Sequence, residues 1–190
     1  MKWHSHAKTA FYAMKGCLEL WVMARKSGDN NLMIALSRIL YDQVFSSGKP
    51  NQTGYISSAA MANKRQKKKT CSDHCLSPQF VARMIFDNPD VWLSDYEKFK
   101  RLFFLCCQTI TVTPQENTAL SHLTTNKGGK FEVKVPTDKK YEHLNIVLFH
   151  PKKGIVPNPL VFSNKCAVLS VAHPINPIAW ASDFTLFEPT

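Results

Sequence analysis

Apolar residues recur at helical spacing through the first quarter of the chain. Phe11, Met14, Leu18, Trp21 and Val22 share one face of a helix predicted over residues 5–27. Ser27-Gly28-Asp29-Asn30 stops it, with Gly28 placed as a left-handed cap. A second helix is predicted from about Asn31 to Phe45, with Leu32, Ala35, Leu36, Ile39 and Leu40 on one face. Ser46-Ser47-Gly48-Lys49-Pro50 ends it. The two helices predict a hairpin, whose ordinary role is packing and whose alternative is DNA reading. Residues 46–63 are polar, with Gly, Ser and Asn, and predict a connector.

Three helix starts follow. Ser77-Pro78 sets a capping hydroxyl before proline, opening a helix with Phe80, Val81, Met84 and Ile85 that ends before Pro89. Ser94-Asp95-Tyr96-Glu97 reads as a capping box ahead of Phe99, Leu102, Phe103 and Cys106. Thr109–Val112 is rich in β-formers. Thr113-Pro114-Gln115-Glu116 is a further capping box with proline at the first helical position, launching a helix from Asn117 to Leu123. Beyond it, Lys130–Val135 alternates like a strand, and Leu144–Phe149, Leu160–Phe162 and Cys166–Val171 are apolar enough to be strands. Seven prolines from Pro136 to Pro189 cut this tail into short segments. The fold class expected is α+β: helical N-terminal and middle parts, with short irregular strands in the C-terminal third. Residues 1–50 form a helical hairpin, 51–70 a basic connector, and 71–190 a core with a strand-rich extension, which residues 1–50 can join as one unit.

Composition narrows the partner. The formal net charge is +10, from 24 Lys+Arg against 14 Asp+Glu, which favours a polyanion. Nucleic acid is the common case, and an anionic membrane surface its rival. Hydrophobic residues make up 44% of the chain, enough for a core. No apolar run reaches the roughly 18 residues of a membrane span, and the first residues lack a signal-peptide pattern. The six cysteines do not follow a disulfide-scaffold spacing, so a reducing cytoplasm is expected. Lys64-Arg65-Gln66-Lys67-Lys68-Lys69 places five cations in six positions. Such a run is either a solvated face or a phosphate contact.

Phosphodiester cleavage needs a base for water, and a metal held by hard oxygen ligands. Asp73-His74 offers a carboxylate and an imidazole side by side. Adjacent strand residues point to opposite faces, but at a strand end both can reach one cleft. Asn117, in the first turn of its helix, can add an amide oxygen. The bland reading of Asp73-His74 is a polar turn before Ser77, and that of Asn117 a solvated first-turn residue.

Thr70-Cys71-Ser72-Asp73-His74-Cys75-Leu76-Ser77-Pro78, with Thr113-Pro114-Gln115-Glu116-Asn117 downstream, resembles the HNH nucleases of the ββα-metal superfamily. In particular it is similar to the small free-standing or intron-linked homing endonucleases of phages. The resemblance implies a ββα-metal-like core and a site-selective DNA endonuclease using Mg²⁺ or a similar ion, in the host cytoplasm if phage-encoded. It implies Asp73 and Asn117 as metal ligands and His74 as general base. His122 or Asn126 would fill the last polar position, with His122 the further metal ligand. Lys64, Arg65, Lys67, Lys68 and Lys69 would hold the nucleic acid, DNA being preferred over RNA through the resemblance alone. About forty residues separate His74 from Asn117, more than in compact members, and the second strand has no clear signal there.

Other readings compete. Cys71 and Cys75 with Cys106 and Cys107 could hold a structural Zn²⁺, although the adjacent pair fits poorly. Glu132-Val133-Lys134 places Glu and Lys on one strand face, as in restriction-type nucleases. A non-catalytic basic accessory protein that binds nucleic acid accounts for the same charge. A phage assembly part would bind no DNA tightly.

Overall fold

The computed structural model describes residues 2–47, 51–125, 132–133, 140–150 and 154–156. The first expected helix is two: α1 (Lys2–Gly16) and α2 (Leu18–Ser27), broken at Cys17 with φ −101° and ψ 8°. Gly16, a weak helix former, stands at the break. Gly28 closes α2 at φ 70°, the left-handed cap expected of it. Asp29 then caps α3 (Asn30–Ser46), accepting from the Leu32 N–H at 3.0 Å. Val22 and Ala35, placed by periodicity on apolar faces, are exposed.

The connector expected over 46–63 is largely regular structure. Asn51–Ser57 is a strand, β1, and Ser58–Arg65 a helix, α4. The segment Asn-Gln-Thr-Gly-Tyr-Ile-Ser has no apolar alternation. Its neighbours on both sides make it a strand, a tertiary override of local pattern. The pairing is irregular between Gln52 and Ile56, and Gly54 sits there at φ 83°. A Cβ at Gly54 would come within 3.0 Å of His150 Nε2, so both conformation and space call for glycine.

The main sheet has five strands, among them β2 (Cys71–His74) and β3 (Gln108–Val112). The short β4 (Thr124–Thr125) and β5 (Glu132–Val133) pair apart from it. The last two strands of the main sheet are β6 (Leu148–His150) and β7 (Gly154–Val156). The order is β2-β3-β1-β6-β7, with β1 parallel to β3 and the other pairs antiparallel. The strand expected from Leu144 begins only at Leu148, because Asn145 takes φ 54° in a turn. Of the strand expected over 130–135, only Glu132–Val133 is described. Lys134, Leu160–Phe162 and Cys166–Val171 lie outside the described residues.

Between β2 and β3 the chain inserts α5 (Pro78–Asp87), α6 (Pro89–Trp92) and α7 (Tyr96–Cys106). Ser77 precedes α5, but its hydroxyl makes no capping bond; Pro78, which has no N–H, opens the helix. Asp95 rather than Ser94 caps α7, accepting from the N–H groups of Glu97 and Lys98 at 2.8 and 3.4 Å. The insert supplies much of the core: Phe80, Ile85, Trp92, Phe99, Leu102 and Phe103 are buried. The N-terminal helices pack onto it. Phe11 meets Phe99 edge-on at 5.3 Å, and Trp21 stacks on Phe86 at 4.8 Å. Trp21 Nε1 also donates to Asp87 at 3.2 Å, and Arg25 pairs with the same carboxylate. One buried apolar cluster runs from Ala7 to Leu148, through the N-terminal helices, the insert, β3 and β6. The fold is therefore mixed α+β and mostly helical. Among the described residues no helix is long and apolar enough to cross a membrane.

Candidate active site

Among the described residues β2 is an edge strand, paired only with β3: Asp73 lies opposite Ile110 and His74 opposite Thr109. The chain leaves β3 through Thr113 into α8 (Pro114–Ser121), which packs back against β2. The capping box expected here is complete. Thr113 Oγ1 accepts from the Glu116 N–H at 3.1 Å, and Glu116 Oε2 accepts from the Thr113 N–H at 2.8 Å. The same Glu116 oxygen accepts from the Ser57 hydroxyl at 2.6 Å, and Ser57 in turn caps α4 through the Ala60 N–H at 2.9 Å. Glu116 thus fixes the start of α8 to the end of β1, and Asn117 follows it directly.

A cleft of about 430 Å³ opens where these pieces meet. Asp73, His74 and Asn117 all line it, with Tyr41 and Phe45 of α3 and with Lys140, the first residue of α9 (Lys140–His143). His74 is the last residue of β2, so the strand end lets two adjacent side chains share one cleft.

His74 Nδ1 lies 2.8 Å from the carbonyl oxygen of Cys106. A carbonyl only accepts, so Nδ1 carries the hydrogen and Nε2 keeps a lone pair in the neutral ring. The acceptor is available because the last carbonyls of a helix lack intrahelical partners. Burial lowers the imidazole's proton affinity below its usual range, outweighing the Cys106 bond and Asp73, which raise it. Lys140 acts with burial. The Phe45 ring covers His74 at 4.7 Å and is itself 52% exposed.

Asp73 is held by residues that the sequence pattern did not single out. Lys140 Nζ donates to its Oδ2 at 2.6 Å and to the carbonyl oxygen of His74 at 2.5 Å. The Tyr141 hydroxyl donates to the same Oδ2. Burial and the neighbouring carboxylate keep the Tyr141 phenol protonated, and hence a donor. Lys140 and Tyr141 belong to no motif in the sequence, and only the fold buries them. The Asn117 side-chain amide, half-buried on the cleft, makes no hydrogen bond among the described residues.

The donor set suits a hard cation. A carboxylate and an amide oxygen are the ligand types that Mg²⁺ takes, with water and phosphate oxygens completing an octahedron. His122 is not part of this set: it follows α8 as an exposed residue and does not line the cleft, although its neighbours Ser121 and Leu123 do. Asn126 lies outside the described residues. Nor do the cysteines among the described residues gather as a thiolate site. Burial pushes the Cys75 thiol up to about 12 and Cys107 to about 11, and Cys106 is also raised. These are protonated thiols in an apolar core, Cys107 beside the Ser47 hydroxyl. Among the described residues, no group of three or more His, Cys, Asp or Glu is placed to hold a metal.

The basic run lies beside the site rather than in it. Lys64 and Arg65 end α4, Lys67 takes φ 56°, and Lys68 and Lys69 lead into β2. All five cations are exposed, and none forms an ion pair among the described residues. From Lys69 the strand carries the chain to His74, about 16 Å at 3.3 Å per residue. No family model, curated protein or solved structure was found to match the chain.

Proposed function

We propose that this protein is a metal-dependent DNA endonuclease of HNH type, with β2, β3 and α8 as its ββα-metal core. The observation that carries the reading is convergence. Asp73, His74 and Asn117, split by an insert of three helices, line one cleft on an edge strand. His74 is arranged as a base, since the Cys106 carbonyl holds Nδ1–H and Nε2 is left to take a proton from water. The same carbonyl, at the negative end of α7, stabilises the imidazolium that forms. Asp73 and Asn117 would hold Mg²⁺ or a similar ion, which supplies charge stabilisation at the phosphate when bound. The exposed cations of 64–69 would hold the DNA backbone on the approach to the cleft. Target selectivity of the homing kind and a cytoplasmic setting complete the proposal.

The test is cleavage of supercoiled plasmid and of mixed genomic or phage DNA, with Mg²⁺ or with EDTA, beside His74→Ala and Asp73→Ala. Metal-dependent cuts lost in both variants, with DNA binding retained, are expected. Cuts that survive both substitutions would reject this site. Salt-sensitive binding with no cleavage of any substrate would favour the non-catalytic accessory protein. Replacing Lys67, Lys68 and Lys69 by Gln should flatten the salt dependence of binding by about one unit of log–log slope per lost phosphate contact.

A further inference from the structure

Two buried side chains bound to Asp73, the cleft residue Lys140 and its neighbour Tyr141, belong to none of the elements that carry Asp73, His74 and Asn117. Lys140 is 8% exposed and Tyr141 fully buried. Lysine is almost never so buried without a partner that requires it. Both donate to one atom, Asp73 Oδ2. An ammonium and a phenol together occupy the two lone pairs of that oxygen. Oδ1 makes no hydrogen bond among the described residues. Lys140 also ties down the His74 carbonyl, so one ammonium fixes both the carboxylate and the backbone of the neighbouring base.

We infer that Lys140 and Tyr141 are positioning residues: they hold Oδ2 of Asp73, so that Oδ1 is the oxygen presented to a divalent cation. The assignment rests on the metal-site reading given above. Outer donors of this kind fix the orientation of a metal-ligating carboxylate, and their loss weakens metal affinity by about 10- to 100-fold. The two residues differ in how they act. Tyr141 orients without adding charge, whereas Lys140 orients and also offsets part of the carboxylate's charge.

Mn²⁺ titration of the full chain without DNA, followed by the electron paramagnetic resonance of the free ion, tests this directly. Thermal unfolding in EDTA runs alongside. Wild type should bind one Mn²⁺ that Asp73→Ala loses. Tyr141→Phe, which keeps the buried ring, should bind it about 10- to 100-fold more weakly. Its unfolding temperature in EDTA should stay within a few degrees of wild type. Lys140→Gln and Lys140→Met are both neutral and similar in length, but only Gln keeps donors for Oδ2 and the His74 carbonyl. Lys140→Gln should therefore bind Mn²⁺ several-fold more tightly than Lys140→Met. If Asp73-dependent binding is present but Tyr141→Phe binds as tightly as wild type, the positioning role is wrong and the metal site stands. If Tyr141→Phe does not fold, the Lys140 pair decides, and equal or reversed affinities overturn the assignment. Wild type that binds no more Mn²⁺ than Asp73→Ala removes the metal site and this role with it.

Discussion

The insert between β2 and β3 and the helix that follows β3 are built on opposite plans. In α5 and α7 the apolar stripe is strong and its residues are buried: Phe80, Val81, Ile85, Phe99, Leu102 and Phe103 all lie in the core. In α8 only Leu120 is buried, and what fixes the helix is the preset backbone of Pro114 together with polar contacts, the capping box and the Ser57–Glu116 bond. The insert holds the fold together by area removed from water. α8 contributes little area and carries a chemical group instead. The two meet at His74, whose ring is aimed by the last carbonyl of the insert's α7, that of Cys106, while its cleft is walled in part by α8.

This contrast can be broken or sharpened by substitution. Phe103→Ala should cost about 3–5 kcal/mol of unfolding free energy, by lost transfer and a residual cavity. A urea midpoint close to wild type would deny the insert its structural role. Asn117→Ala should do the reverse. Cleavage should fall by about 10²-fold, near 2.7 kcal/mol in the barrier, while the urea midpoint moves by less than about 0.5 kcal/mol. A loss of stability with unchanged cleavage would make Asn117 an ordinary helix residue. Thr113→Ala should cost about 1 kcal/mol, because the Glu116 N–H loses its acceptor; circular dichroism against urea checks it.

The pH response is the smallest effect and has a definite sign. His74 has a folded proton affinity lowered below its usual 6.5, chiefly by burial. Below that pH the unfolded chain binds a proton that the folded chain refuses, so stability falls as pH drops through the window beneath 6.5. The same neutral ring should keep the base competent there, placing the acidic limb of the cleavage rate below pH 6.5. Stability curves at several pH values in EDTA, wild type against His74→Gln, isolate this contribution. A His74→Gln curve parallel to wild type would show that His74 is not the group responsible.

The parts legible in the sequence are those whose cause is local. Helices α5 and α7 of the insert follow from 3.6-residue periodicity, unlike the short α6, and the start of α8 follows from Thr113, Pro114 and Glu116 within four positions. Asp73, His74 and Asn117 were legible as a short motif, and the cleft gathers them. β1 was not legible, because Asn51–Ser57 is polar and becomes a strand only through neighbours distant in sequence. His122 was chosen for its residue type, and the fold leaves it exposed while its neighbours Ser121 and Leu123 line the cleft. Lys140 and Tyr141 gave no signal, because a lysine looks solvated until the fold removes the solvent. The Cys106 contribution was invisible in another way: a backbone carbonyl has no residue type to read.

The position of the insert also sets the order in which the site can be assembled. β2 and β3 pair across residues 75–107, and closing a flexible loop of about thirty residues carries an entropic cost of roughly 3 kcal/mol plus a constant. The insert's own helices relieve it by drawing the two strand ends together. The imidazole finds its acceptor only when the end of α7 is in place. The cleft should therefore be completed late in folding, and a half-folded chain would carry Asp73, His74 and Asn117 without the cleft that joins them.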